Sequence, residues 1–230
     1  MKKNFAMRVA ACLLVVTMLS LCMVSYTYAK YTTGDKGSDK AQVAKWGVTV
    51  TAQLTDLFAP DYDVTDGTVQ ASGTYDLLAP GTKKQTNAAL VISGTPEVAT
   101  EIIPTVEVTL DKWVADGAYY CPLIVTIDVN DAVEGAKSVV LKGLSYNSEA
   151  EFATAIENAI VAALDEDCDA KDDLSKTVKI SWEWPFGADV EGWTENDGQT
   201  DIKDTILGNA AVTAPATFEI FLSVTINQVD

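Results

Sequence analysis

Histidine is absent from all 230 residues. This removes the side chain most used for proton transfer near neutral pH and the commonest zinc ligand. Ser-His-Asp and Cys-His catalysis and the HExxH zinc sites are therefore excluded. Arginine is nearly absent as well, Arg8 being the single one. No GxxxxGK[ST], GxGxxG, GxSxG or CxxC occurs, so the usual signatures of nucleotide binding, hydrolase nucleophiles and thiol redox chemistry are missing. Carboxylates are the only plausible reactive groups left. The sequence demands no enzyme, and a non-enzymatic role is expected.

What is present at the amino end sets the compartment. Lys2, Lys3 and Arg8 precede an uncharged run from Val9 to Val24, and Thr27-Tyr28-Ala29 then offers a small-x-small cleavage site. This is the layout of a secretory signal peptide over residues 1–29, cut between Ala29 and Lys30. The apolar run falls short of the roughly 20 residues a bilayer-spanning helix needs. Membrane contact is therefore expected only through the signal before cleavage, with a retained signal anchor as the alternative. Removing 29 residues takes three basic side chains and no acidic ones, leaving 13 basic against 33 acidic, a net −20. Such a field repels phosphate backbones, which are bound by Lys and Arg, so nucleic acid is a poor partner for the monomer and none is expected. Cations, basic surfaces and self-association remain open.

Four cysteines divide two and two. Cys12 and Cys22 leave with the signal, while Cys121 and Cys168 stay. In an oxidising compartment the second pair can join, closing a loop of about 48 residues for about 3–4 kcal/mol in the chain-entropy model. The alternative is two separate thiols, with Cys121 part of the core.

Residues 30–42 are polar, charged and glycine-containing, and read as a flexible arm. The domain is expected over 43–230. Trp46, Val48, Val50, Ala52 and Leu54 alternate with polar or small residues, which predicts a half-buried strand. Further strand-like runs cover 88–93, 102–110, 122–129, 138–141, 177–184 and 216–229, separated by turn clusters such as Ala79-Pro80-Gly81-Thr82 and Ser93-Gly94-Thr95-Pro96. Short strands without βαβ alternation predict a mainly β fold, an antiparallel β-sandwich or jelly roll. One segment breaks the pattern. Ser148-Glu149-Ala150-Glu151 is a capping box, and Phe152, Ile156, Ile160 and Leu164 follow at helical spacing, predicting one inserted helix over 149–164 besides the signal helix.

Acidic clusters are the candidate binding sites. Asp61-x-Asp63-x-x-Asp66-Gly67 approaches a calcium loop, but its third acid is one position late and no Glu follows at the twelfth, bidentate position, which is Ser72. A solvated turn is the simpler reading. Residues 165–173 and 191–201 are oxygen-rich enough for weak calcium binding, against the plainer reading of charged loops. No cofactor and no defined metal site are expected. Trp182-Glu183-Trp184-Pro185-Phe186 and Trp193 invite a carbohydrate reading, since sugars stack on aromatic faces. Alternation with Val178 and Ile180, however, puts Trp182 and Trp184 on a core face. Glu183 is a remote candidate for a glycosidase acid, a chemistry that needs two carboxylates at fixed separation.

The signal ending in Tyr28-Ala29-Lys30-Tyr31-Thr32, the alternating strand after the polar arm, Leu78-Ala79-Pro80-Gly81, and the closing β run through Gln228-Val229-Asp230 together resemble a known group. This is the TasA and camelysin class of Gram-positive exported proteins with SipW-dependent signal peptides, found in biofilm matrix and on cell surfaces. The resemblance implies a jelly-roll subunit that assembles into fibres by donating an N-terminal strand to the next copy. Residues 30–40 are poor in β-branched apolar side chains, so a donated strand would draw on Gln42, Val43, Trp46, Val48 and Val50. Some relatives carry a metallopeptidase label, which a chain without histidine does not support. The expectation is a secreted fibre subunit of the matrix or cell surface, partnered by its own copies and by surface or matrix components. The alternative is an extracellular glycan- or surface-binding module. With no sortase motif before Asp230, retention is expected from assembly, partners or an uncleaved signal.

Overall fold

Alternating apolar residues build most of this protein, because a strand buries every second side chain. The computed structural model describes residues 7, 9–18, 45, 47–52, 54, 56–63, 70–131, 135–164, 166–185 and 197–229. The chain divides into two compact units, Met1–Val43 and Ala44–Asp230. In the first, residues 9–18 form a helix, α1, whose Leu13, Leu14, Val15 and Val16 are exposed. Among the described residues no helix is long and apolar enough to cross a membrane. Ala29 and Lys30, the expected cleavage site, and the 30–42 arm lie outside the described residues.

The second unit is mainly β, with every pairing antiparallel. Its larger sheet runs in the order β1 (Val48–Ala52), β5 (Leu90–Gly94), β12 (Leu174–Glu183), β9 (Ile124–Asp131), β10 (Gly135–Lys142), and β4 (Lys83–Gln85) lies beside the far end of β12. In β12, Leu174, Lys176, Val178, Ile180 and Trp182 point inward, opposite Asp131, Val129, Ile127 and Val125 of β9 from Lys176 onward. A second sheet has the order β11 (Glu166–Cys168), β6 (Thr100–Asp111), β13 (Thr217–Gln228). Two small hairpins complete the β structure, β2 (Ala59–Tyr62) with β3 (Ala71–Leu77), and β7 (Val114–Ala115) with β8 (Ala118–Tyr119). Phe58 joins the two larger sheets, its ring 6.1 Å from Trp182 of β12 and 5.6 Å from Phe218 of β13. The antiparallel sandwich class is as expected. The division into six and three strands does not by itself establish a jelly roll.

β4 and β5 meet β12 end to end, and Thr86 bridges the gap. Its backbone N–H donates to the Ile180 carbonyl at 2.9 Å, and its hydroxyl accepts from the Ile180 N–H at 3.1 Å. A side chain thus fills a ladder position where the backbone bulges away.

Helix α2 (Glu149–Leu164) matches the predicted range, with Phe152, Ile156, Ile160 and Leu164 buried. Each of these contributes about 1.5–3 kcal/mol by burial. Ser148 Oγ accepts from the Glu151 N–H at 3.2 Å, as a capping box requires. The return bond differs, since Glu151 Oε2 accepts from the Asn147 N–H instead of that of Ser148. Two more carboxylates of this helix face β6 and the residues after it. Glu157 accepts from the Val108 N–H at 2.9 Å and Glu149 from the Trp113 N–H at 2.6 Å, so α2 covers the stretch of β6 that β11 leaves unpaired.

Two departures from the sequence reading concern helix and strand content. A further helix, α3 (Asp197–Ala210), follows the Trp193 segment, so α2 is not the one inserted helix. Its buried stripe includes Thr200 and Asp204 beside Leu207, and two polar members hide the apolar periodicity. Glu166–Cys168, expected in a charged loop, forms β11 by pairing with Thr100–Ile102.

Candidate functional site: strand edges and an apolar cleft

β1 is an edge strand that pairs with β5 alone among the described residues. Its register sets Val48 against Gly94, Val50 against Ile92 and Ala52 against Leu90. Two hydrogen bonds with Glu97 fix its approach: the Lys45 N–H donates to the Glu97 side-chain Oε2 at 2.7 Å, and the Glu97 N–H donates to the Lys45 carbonyl at 3.1 Å. Of the expected strand-donor residues, Val48 and Val50 are therefore paired within their own chain, while Gln42, Val43 and Trp46 lie outside the described residues. At the opposite edge, β10 exposes Val139 and Val140. In the second sheet, β13 pairs with β6 alone among the described residues, over 12 positions, and presents Phe221 at 56 % exposure. Such edges are templates for another strand.

A cleft of about 810 Å³ opens beside the start of β13, walled by Leu57, Phe58, Leu77, Trp184, Leu207 and Phe218. One buried carboxyl, Asp204, reaches it from α3. It accepts from Tyr120 Oη at 2.8 Å and from Trp184 Nε1 at 3.2 Å. Burial raises its pKa from 3.8 to about 6, with Asp201 adding to the rise and the two hydrogen bonds opposing it. Nearby, Trp113 Nε1 donates to the Thr217 carbonyl at 2.7 Å and the Trp113 ring tilts against Trp184 at 5.5 Å. Asp76 and Glu219 also line the cleft, so its charged groups are all acidic. This surface suits an apolar or cationic occupant. Sequence reasoning did not find Asp204 or Tyr120, because neither falls in a recognisable motif.

The two remaining cysteines do not join, which corrects the disulfide alternative. Cys121 and Cys168 are separate buried thiols. Cys121 sits beside Gly143 and Phe152 at the start of α2, whereas Cys168 follows its end and pairs with Thr100. A 16-residue helix lies between these points. It spans about 24 Å at 1.5 Å per residue. A disulfide needs Cα atoms within about 7 Å. Burial pushes the Cys121 thiol up to about 12.

The aromatic and acidic candidates resolve individually. Trp182 and Trp184 are buried, as alternation predicts, and Trp182 Nε1 donates to the Leu57 carbonyl at 2.8 Å. Trp113 is buried too, so no described tryptophan stands exposed on the surface, although Trp113 and Trp184 line the cleft. Phe186 and Trp193 lie outside the described residues. Glu183 is exposed at the end of β12 opposite Lys83 and Ile124, away from the Asp204 cleft. Asp61 stands in β2 and accepts from Ser72 Oγ at 2.6 Å, so it is a strand residue and not part of a turn. Asp66 and Gly67 lie outside the described residues. Among the described residues no group of three or more potential metal ligands converges. Comparisons with family models, with curated proteins and with solved structures find no match.

Proposed function

We propose that this chain is an exported structural subunit of a cell surface or extracellular matrix, similar to the TasA and camelysin class, whose product is its own assembly. The observation that carries the reading is β1. It is the first described strand of its unit, and among the described residues it is laddered to β5 alone, over five residues at the sheet edge. A strand so placed exchanges between copies at little energetic difference, because leaving β5 in one copy and joining β5 in the next remakes the same bonds. A head-to-tail exchange of this kind does not close and grows into a fibre. The exposed edge of β13 adds lateral contact between subunits. The absence of histidine and the net acidic charge accord with a structural role and not a hydrolytic one.

A reversible staple tests the reading. Thr51 and Val91 are register partners. Thr51→Cys with Val91→Cys, in a background lacking Cys121 and Cys168, fixes β1 in place when oxidised. The chain cut at Ala29 is expected to form filaments visible by electron microscopy when reduced and to stay monomeric when oxidised. Equal behaviour in both states, whether filamentous or monomeric, defeats the proposal.

A further inference from the structure

Two ionisable side chains occupy the sheet's inward face where aliphatic residues belong. Lys176 continues the row Leu174, Val178, Ile180 and Trp182 in β12, and Asp131 continues Val125, Ile127 and Val129 in β9. They are direct register partners on neighbouring strands. Lys176 Nζ lies 3.2 Å from Asp131 Oδ2, with the side chains 5 % and 8 % exposed. Leu174, Val178, Val129 and Ile92 surround them and are buried.

We propose that this pair is a self-modification site at which Lys176 and Asp131 condense into an intramolecular amide, cross-linking β9 to β12. Placing an ammonium and a carboxylate in an apolar wall costs several kcal/mol for each ion, which their attraction only partly offsets. Proton transfer from Nζ to the carboxylate turns the ion pair into a neutral amine and acid, the favoured forms in a low dielectric. The amine then attacks Cγ. A C–N bond forms, a C–O bond breaks, and one amine proton leaves with the departing hydroxyl as water. The amide keeps one N–H, and no oxidant or reductant is needed. Nζ lies against Oδ2, one bond from the Cγ it must reach, and the paired strands hold both groups in register, the kind of positioning that turns an encounter between two reactants into an intramolecular step. The driving force is the removal of two buried charges and the release of water from a dry site. With no disulfide between Cys121 and Cys168, this amide supplies a covalent tie between two central strands. The inference is independent of strand exchange.

Intact-mass measurement of the purified, folded full-length chain decides the matter. The expected mass is one water below that of the sequence, and tryptic digestion should skip Lys176 and yield a branched peptide joining the Asp131 and Lys176 segments. Asp66-Gly67, Asp116-Gly117 and Asp197-Gly198 can also lose water by succinimide formation. Tandem spectra must therefore place the bond. Lys176→Met should restore the full mass. A wild-type chain at full mass, cleaved normally after Lys176, overturns the proposal, as does a water loss confined to an Asp-Gly site.

Discussion

Gly94 passes so close to Gly47 that a Cβ on Gly94 would sit 1.9 Å from the Gly47 carbonyl oxygen. Gly94 also holds φ at 139°, a conformation that side-chain-bearing residues rarely adopt. The seam between β1 and β5 therefore depends on two missing side chains. Gly94→Ala should cost at least about 2 kcal/mol through backbone strain and displacement of β1. Hydrogen exchange should quicken across Val48–Ala52 while Val125–Val129, in the sheet centre, stays protected. Unchanged protection of β1 would mean that the seam tolerates the methyl group.

Thr86 predicts a second effect. Its hydroxyl substitutes for a backbone carbonyl in the β12 ladder, accepting from the Ile180 N–H in a buried position. Thr86→Val keeps the shape and strands that N–H, at a cost of about 1–3 kcal/mol. Thr86→Ser keeps the acceptor and should lose much less. Urea unfolding of the two variants separates the hydrogen bond from packing. A larger loss in Thr86→Ser than in Thr86→Val would assign the effect to the methyl group.

Asp204 makes stability depend on pH. Its carboxyl titrates near pH 6 when folded and near 3.8 when exposed, so the folded chain holds the proton more tightly. This contribution is fully present below about pH 4, is lost as pH rises through 6, and amounts to about 2–3 kcal/mol. Asp204→Asn removes the titration. Its melting temperature should exceed that of the wild type by more at pH 7.5 than at pH 4.5. A difference that stays constant across that range would show that Asp204 is solvated.

Much of the β framework was legible because it rests on period-two burial, which a sequence displays directly. The alternation through β12 and β13 and the capping box at Ser148 each appear in place, because each is a local pattern. α3 was hidden because Thr200 and Asp204 occupy its inward face. Asp204 is kept there by Tyr120 and Trp184, partners 84 and 20 residues away in sequence. β11 was hidden for a related reason. Three residues rich in acid carry no strand signal of their own, and their pairing is supplied by β6. The cleft is legible from no single segment, since its walls come from β3, β13, α3 and the turn before β2.

The cysteines offer a chemical check. Cys121 lies under Gly143 and Phe152, and burial raises its thiol to about 12, so almost no thiolate exists at neutral pH. Neither Cys121 nor Cys168 should react with a thiol reagent in the folded protein, and both should react once it is denatured. Their labelling rate should follow the unfolding equilibrium as urea rises. Rapid labelling of Cys121 in the native state would mean that the start of α2 opens locally.

Thr100 closes the series, and its effect runs the other way. It is fully buried in β6 between Cys168 and Gln228, and its hydroxyl has no hydrogen-bond partner among the described residues. An unsatisfied buried hydroxyl costs about 1–3 kcal/mol, and removing it by a residue of the same shape recovers part of that. Valine keeps the β-branching that suits a strand and replaces the hydroxyl with a methyl group. Thr100→Val should therefore stabilise the protein by about 1 kcal/mol. The urea midpoint should rise with an unchanged slope, because the surface exposed on unfolding stays the same. A fall in the midpoint would show that the hydroxyl is bonded in solution, and Thr100→Ser, which keeps the oxygen and loses only the methyl group, would then be the milder of the two changes.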